Sequence, residues 1–161
     1  MEEAVDLAKR ELKRADHLIF VSLKYTRTVD VIKNIIARLM TTIDFGFEAL
    51  LRKAIGERKL DVLPSLPRIR VDEMRRLYND NPAMMSYIDF YMLLKRIDKA
   101  NFERGMEYRR HVTMTADLDG KKIEITIDII SDYFKKTTEF VNMVENIVLG
   151  RNEFGELIEE K

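Results

Sequence analysis

In the stretch TVDVIKNIIARLMTTIDFGFEALLRKAIG, residues 28–56, apolar side chains recur at Ile32, Ile35, Ile36, Leu39, Ile43, Phe47, Leu50, Leu51 and Ala54. Steps of three and four place them on one face of a helix. Thr28 is the expected N-cap and Gly56 the expected C′ residue. Gly46 interrupts the strongest part of this helix, which points to a close crossing with another element. Upstream, Val5, Ala8, Leu12, Ala15, Ile19 and Ser22/Leu23 repeat with the same period from Glu2 to about Tyr25, with Arg10, Glu11, Lys13 and Arg14 facing away. At ~1.5 Å per residue both helices run roughly 35 to 40 Å, and the short Thr26-Arg27-Thr28 joint sets them antiparallel.

Downstream, Leu63-Pro64-Ser65-Leu66-Pro67 reads as a connector without helix. Asp72 is positioned to cap a short helix through Tyr78, and Asn81-Pro82 starts another that reaches about Ala100. Its expected inward residues are Met84, Met85, Ile88, Tyr91, Met92 and Leu94. From 112 to 127 the apolar period shortens to two. If Asp119-Gly120 forms a type I′ turn, Leu118 pairs with Lys121, Ala116 with Ile123, Met114 with Ile125 and Val112 with Ile127. Asp117/Lys122, Thr115/Glu124 and Thr113/Thr126 then share the opposite, polar face. Two strands alone are marginal in water, so the apolar face must lie on helices or join another copy's sheet. Ile130, Phe134, Thr137, Phe140/Val141, Val144 and Ile147/Val148 mark a last long helix closed by Gly150.

The expected fold is therefore mainly α: four long helices and one short helix in a bundle, with a β-hairpin at 112–127 inserted before the last helix. Residues 1–150 read as a single domain and 151–161 as a frayed or loosely docked tail. At 161 residues such a chain buries roughly 68 to 70% of its unfolded surface and needs no staple.

The composition narrows the function classes. The absence of cysteine excludes disulfides, thiolate metal sites and Cys nucleophiles. Two histidines give no metal-site spacing, no glycine-rich phosphate loop occurs, and nothing points to a metal or cofactor. No apolar run is long enough to span a membrane and Met1-Glu2-Glu3 is not a signal-peptide start, so a cytoplasmic protein is expected. Lys+Arg 28 balance Asp+Glu 28, but unevenly along the chain. Residues 1–111 hold 22 basic and 17 acidic side chains, and 112–161 hold 6 and 11. A dipolar chain of this kind can pair its halves internally or present complementary faces to another copy.

The densest group of chemically able residues is Arg104-Gly-Met-Glu-Tyr-Arg-Arg-His111, at the junction between helix and hairpin. Arg109 and Arg110 carry forked donors for phosphate, Tyr108 a stacking face, and His111 a proton exchangeable near neutral pH. A metal-independent ribonuclease needs such parts, a base for the 2′-hydroxyl and cations for charge building on phosphate. Asp117, Asp119, Glu124 and Asp128 cluster around the hairpin, but Thr126 stands where a nuclease would place its Lys, so these read as turn and solvent-facing residues. Arg68, Arg70, Arg75 and Arg76 form a second basic run, diluted by Asp72 and Glu73, and read as a solvated face.

Arg104 followed by six residues and His111 resembles the Arg-x(4 to 6)-His motif of the HEPN superfamily, helical bundles that include ribonucleases and RNA-binding partners of nucleotidyltransferases. The resemblance implies catalytic roles for Arg104 and His111 and an RNA ligand. Here Gly105 follows the Arg and a hairpin intervenes before the last helix. The segments Ala15 to Ile32 and Tyr108 to Thr115 also look like those of a small group of uncharacterised archaeal proteins, a provenance that suits a heat-adapted, Gln-free and Cys-free composition. Two expectations follow. One is a non-enzymatic helical interaction protein, self-associating as a homodimer or meeting a protein partner; the other is a HEPN-like RNA-binding protein or ribonuclease using Arg104, Tyr108, Arg109, Arg110 and His111.

Overall fold

The computed structural model describes residues 1–152 and 156–158. The first helix, α1 (Glu2–His17), continues through a π-helical segment (Leu18–Leu23) into a last turn, α2 (Lys24–Thr26). Then come α3 (Val29–Gly56), α4 (Pro67–Leu77), α5 (Pro82–Lys99), strands β1 (Asn101–Gly105), β2 (Thr113–Leu118) and β3 (Lys121–Ile125), and α6 (Ile127–Val148). The chain is mainly helical, with a small antiparallel sheet before the last helix.

Helix α3 is the axis of the core. Every apolar residue of its expected stripe is buried, and so are Val29, Thr42, Gly46 and Ala49, because α1, α4, α5 and α6 all pack against it. Thr28 caps it as expected, its hydroxyl accepting from Val31 N–H at 3.3 Å. Gly46 marks the crossing with α6: a Cβ there would lie 2.5 Å from Cε1 of Phe140. That ring is fully buried and packs edge-on against Phe47 at 5.6 Å, so it has little room to retreat.

The hairpin register is the expected one, Met114 opposite Ile125, Ala116 opposite Ile123 and Leu118 opposite Lys121. Asp119 and Gly120 both take positive φ, as a type I′ turn demands. Val112, Met114, Ala116, Leu118 and Ile125 are buried on the helices. Several expectations need correction here. The hairpin is part of a three-stranded sheet, because Asn101–Gly105 pairs antiparallel with β2 (Phe102 with Ala116, Arg104 with Met114). With one large apolar residue, that strand gives no alternation to read. Second, β3 ends at Ile125, so Thr126 does not pair with Thr113 nor Ile127 with Val112; the Thr126 hydroxyl instead caps α6, accepting from Ile129 N–H.

Third, α4 begins at Pro67 rather than after Asp72: a proline lacks the N–H that is orphaned at the first helical position anyway. Fourth, Glu11 is only 6% exposed rather than facing away. Its carboxylate accepts from Arg14 Nη1 at 2.6 Å and Arg38 Nη1 at 3.2 Å, an ion-pair group that lets a charge enter the α1–α3 seam. On α5, Met92 is 37% exposed while Phe90 takes an inward place. Of the tail, Arg151 bridges Leu157 and Ile158 N–H bonds to Gly150 O, so these residues fold back on the helix end. Of the expected tail, 153–155 and 159–161 lie outside the described residues.

Between α3 and α5, Tyr91 OH donates to Asp44 Oδ1 at 2.6 Å. Burial raises the Asp44 carboxyl above its ordinary value, an effect that the Tyr91 hydrogen bond and the charges of Lys95 and Arg70 only partly offset. The Tyr91 phenol is raised too, chiefly by burial.

Two outcomes are expected. Gly46→Ala gains about 1 kcal/mol of helix propensity but overpacks the α3–α6 crossing. The net result is a loss of about 1–2 kcal/mol in urea unfolding, relieved when Phe140→Leu is added. A carboxyl raised in the folded state binds protons more readily there, so its contribution favours folding at low pH and is lost as pH climbs from 3.8 through the folded value. Asp44→Asn, which keeps an acceptor for Tyr91, should therefore be more stable than the parent at pH 7 and lose that advantage by about pH 3 in parallel urea titrations.

Candidate functional site

The end of the first helix and the β1–β2 loop meet over the N-terminus of α6. The helix after His17 opens into a π-helical segment, a form that recurs at functional sites. It buries Ile19 and Leu23 but leaves Phe20 62% exposed. The helix then stops on Arg27 in left-handed conformation (φ 49°), whose N–H bonds to Leu23 O at 3.0 Å. The Arg27 carbonyl accepts from Tyr108 N–H at 2.8 Å, which ties the β1–β2 loop to the helix end. In that loop Met106 (φ 52°) and Tyr108 (φ 63°) also take the left-handed region. Three non-glycine residues in that region at one junction is the kind of backbone strain that concentrates at binding sites.

These elements enclose a cleft of about 660 Å³. Its floor is apolar, made by Ile19, Leu23 and Ile127, with Phe20 at its side. Lys24, Arg27, Arg110 and His111 supply cations or potential cations, and Thr113, Thr126 and Ser131 supply hydroxyls. Asp128 is the one acid in the lining. Arg27 Nε is buried and hydrogen-bonds to no described residue. Tyr25, next to Lys24 in the sequence, and Tyr108, two residues before Arg110, are 79% and 76% exposed. The first turn of α6 adds backbone donors and the positive end of a 22-residue helix.

The sequence-derived candidates separate into two groups. Arg110 and His111 line the cleft, while Tyr108 and Arg109 are exposed beside it on the same loop. Arg104 is not in the lining. It donates to Asp30 at 2.8 Å and to Glu107 at 3.2 Å, and Glu107 also accepts from Val29 N–H at 3.1 Å, closing the first turn of α3. The hydrogen bond from Arg104, with the charges of Arg104 and Lys33, holds Asp30 below its usual range, and bonds to Asp30 and Glu107 hold the Arg104 guanidinium protonated. Arg104 thus braces the loop against α3, and the Arg104–His111 pair of the HEPN-type motif is not brought together in the cleft.

Sequence reasoning missed Phe20, Lys24, Arg27 and Ser131. The available signal was Phe20-Val21-Ser22-Leu23-Lys24-Tyr25-Thr26-Arg27, in which aromatic residues and cations alternate at the end of a stripe whose apolar face was already accounted for. Among the described residues no cluster of three or more His, Asp or Glu side chains is placed to hold a metal ion, and no helix is long and apolar enough to cross a membrane. The chain matches no protein-family model, no curated protein and no solved structure at a significant level. The geometry alone therefore carries the functional reading.

A cleft of this make-up suits an anion beside a flat apolar group. Arginine forks suit phosphate oxygens, and Phe20, Tyr25 and Tyr108 offer faces on which a base can lie.

Proposed function

We propose that this chain is a non-enzymatic helical interaction protein of the cytoplasm that binds single-stranded RNA at the cleft between the first helix, the β1–β2 loop and α6. The observation that carries this reading is the convergence of Lys24, Arg27, Arg110 and His111 on an apolar floor flanked by Phe20. Cations interleaved with exposed aromatic faces form the recognition surface for an unpaired strand, whose bases are free to stack while its phosphates meet the cations. Thr113 and Ser131 line the same space and suit contacts to ribose, the Thr113 hydroxyl only as an acceptor because it donates to the His111 carbonyl at 2.8 Å. The HEPN-like ribonuclease is the weaker form of the RNA reading, since Arg104 is engaged by Asp30 and Glu107.

A second reading, self-association as a homodimer, is favoured by one other observation. Val62, Leu66 and Ile69, at and before the start of α4, are 72%, 58% and 44% exposed within eight residues of one another, an apolar group that a second copy could cover.

Fluorescence anisotropy with a labelled oligouridylate at low salt tests the RNA reading. The parent chain should bind; Phe20→Ala should weaken binding by about 5- to 100-fold through lost stacking, and Arg110→Ala should weaken it and flatten its dependence on salt by a slope of roughly 0.7. Absence of binding at about 50 mM salt discards the reading, and RNA cleavage abolished by His111→Ala would replace it with the ribonuclease. For the homodimer, sedimentation should show a dimer that Leu66→Glu converts to monomer; a monomer up to high micromolar concentration ends that reading.

A further inference from the structure

Helices α4 and α5 enclose a groove of about 480 Å³ that shares no lining residue with the cleft. One wall carries Arg68 and Arg75 from α4, the other Lys95, Arg96 and Lys99 from α5. Asp72 is the single acid in this lining. Arg68, Asp72 and Arg75 are separated by four and three residues, and Met92, Arg96 and Lys99 by the same steps, so each helix turns one continuous stripe toward the groove for about two turns, roughly 10 Å. The connection that sets the two stripes side by side is the short segment Tyr78 to Asn81, where Asn81 caps α5 by accepting from Met84 N–H at 3.0 Å.

The cations are only partly neutralised. Arg75 donates to Asp89 at 2.9 Å, and Arg96 lies 3.5 Å from Asp119 at the hairpin tip, an acid whose side chain is almost wholly in solvent. Lys95 lies over the face of the Tyr91 ring. Arg68 and Lys99 pair with no acidic side chain among the described residues. Two helix faces that hold five cations together, against mutual repulsion, suit a ligand that brings several negative charges in a row.

The apolar content decides which polyanion fits. An acidic amphipathic helix would need an apolar strip to bury, but of the two apolar lining residues Val71 is already buried and Met92 alone is open to solvent. A single base would need a flat ring, and the groove exposes none. What remains is a chain whose charge repeats along its length and which needs no apolar contact.

We propose that the α4–α5 groove is a second anion site that holds a linear chain of phosphates, the shared feature of a phosphodiester backbone and inorganic polyphosphate. Arg68 and Arg75 grip phosphate oxygens through their forked donors, and Lys95 and Lys99 supply point charges on the facing wall. This site stands apart from the RNA reading of the cleft and does not depend on it.

The test uses the full chain and two probes, inorganic polyphosphate and a labelled oligouridylate, each titrated into the parent, into Arg68→Glu/Lys99→Glu, and into the cleft variant Arg110→Ala. Thermal melts show that the groove variant is folded, and Arg68→Gln/Lys99→Gln replaces it if it is not. The groove variant should lose about tenfold or more in affinity for at least one probe, with a shallower salt dependence, and should lose more polyphosphate affinity than Arg110→Ala does. Loss of polyphosphate alone names the free polymer as the ligand type, and loss of the oligouridylate names a nucleic-acid backbone. If neither probe binds at about 50 mM salt, or if the folded groove variant binds both as the parent does, the proposal is overturned. The cleft reading fails by a different result, an oligouridylate affinity that Arg110→Ala leaves unaltered.

Discussion

The close packing of α3 against its neighbours is the constraint on which the rest of the structure depends. A 28-residue helix with thirteen buried residues has to be covered on several sides at once, and each large aliphatic or aromatic side chain so covered contributes about 1.5–3 kcal/mol. That requirement fixes the places of α1, α4, α5 and α6. The tightest contact is at Gly46, where the absence of a side chain lets the Phe140 ring press on the α3 backbone. Phe140 in turn meets Phe47 and Tyr87, so the crossing links three helices through one group of rings. The sheet is secondary to this assembly: its apolar side rests on helices that are already in place.

The helical stripes and the hairpin register were legible because each is a periodicity of several apolar residues, and because Asp119-Gly120 fixes which residues face one another. β1 was hidden since pairing with β2 supplies through hydrogen bonds what Asn101-Phe102-Glu103-Arg104-Gly105 lacks in apolar pattern. Glu11 was misread for a related reason. Its carboxylate is shared by Arg14 and Arg38, and no local rule contains the second partner, 27 residues away. The π-helical segment was illegible as well, since its residues, Leu-Ile-Phe-Val-Ser-Leu, are compatible with an ordinary helix.

The candidate site was half legible. Arg110 and His111 stood out as a dense chemical group, and they do line the cleft. Phe20 and Lys24 were read as part of a helix and Arg27 as part of the joint after it, roles that account for them without any ligand. Arg104 shows the converse: its residue type fits phosphate chemistry, yet its guanidinium serves Asp30, Glu107 and, through Glu107, the start of α3. Cleft and groove lie toward opposite ends of β2, since Thr113 lines one and Asp119, just past Leu118, approaches Arg96 of the other. Six residues of strand put roughly 20 Å between them. The outer face of the sheet in that interval carries Glu103, Asp117 and Glu124 against Lys122, so it separates two positive surfaces with a mostly negative one.

The π-helical turn makes the length of the chain part of the site. A helix advances about 100° per residue and a π turn holds about one residue more than an α turn, so rewinding Leu18–Leu23 as ordinary α-helix with every residue kept would swing everything after it by more than a quarter turn. Lys24 and Arg27 would leave the rim, the Arg27 carbonyl would turn away from Tyr108, and the β1–β2 loop would lose its mooring. A one-residue deletion in this window would offset that swing, so a relative that lost one residue there would have an ordinary helix with Lys24 and Arg27 still on the rim, whereas a substitution that straightened the turn at full length would keep the bundle while giving up the cleft.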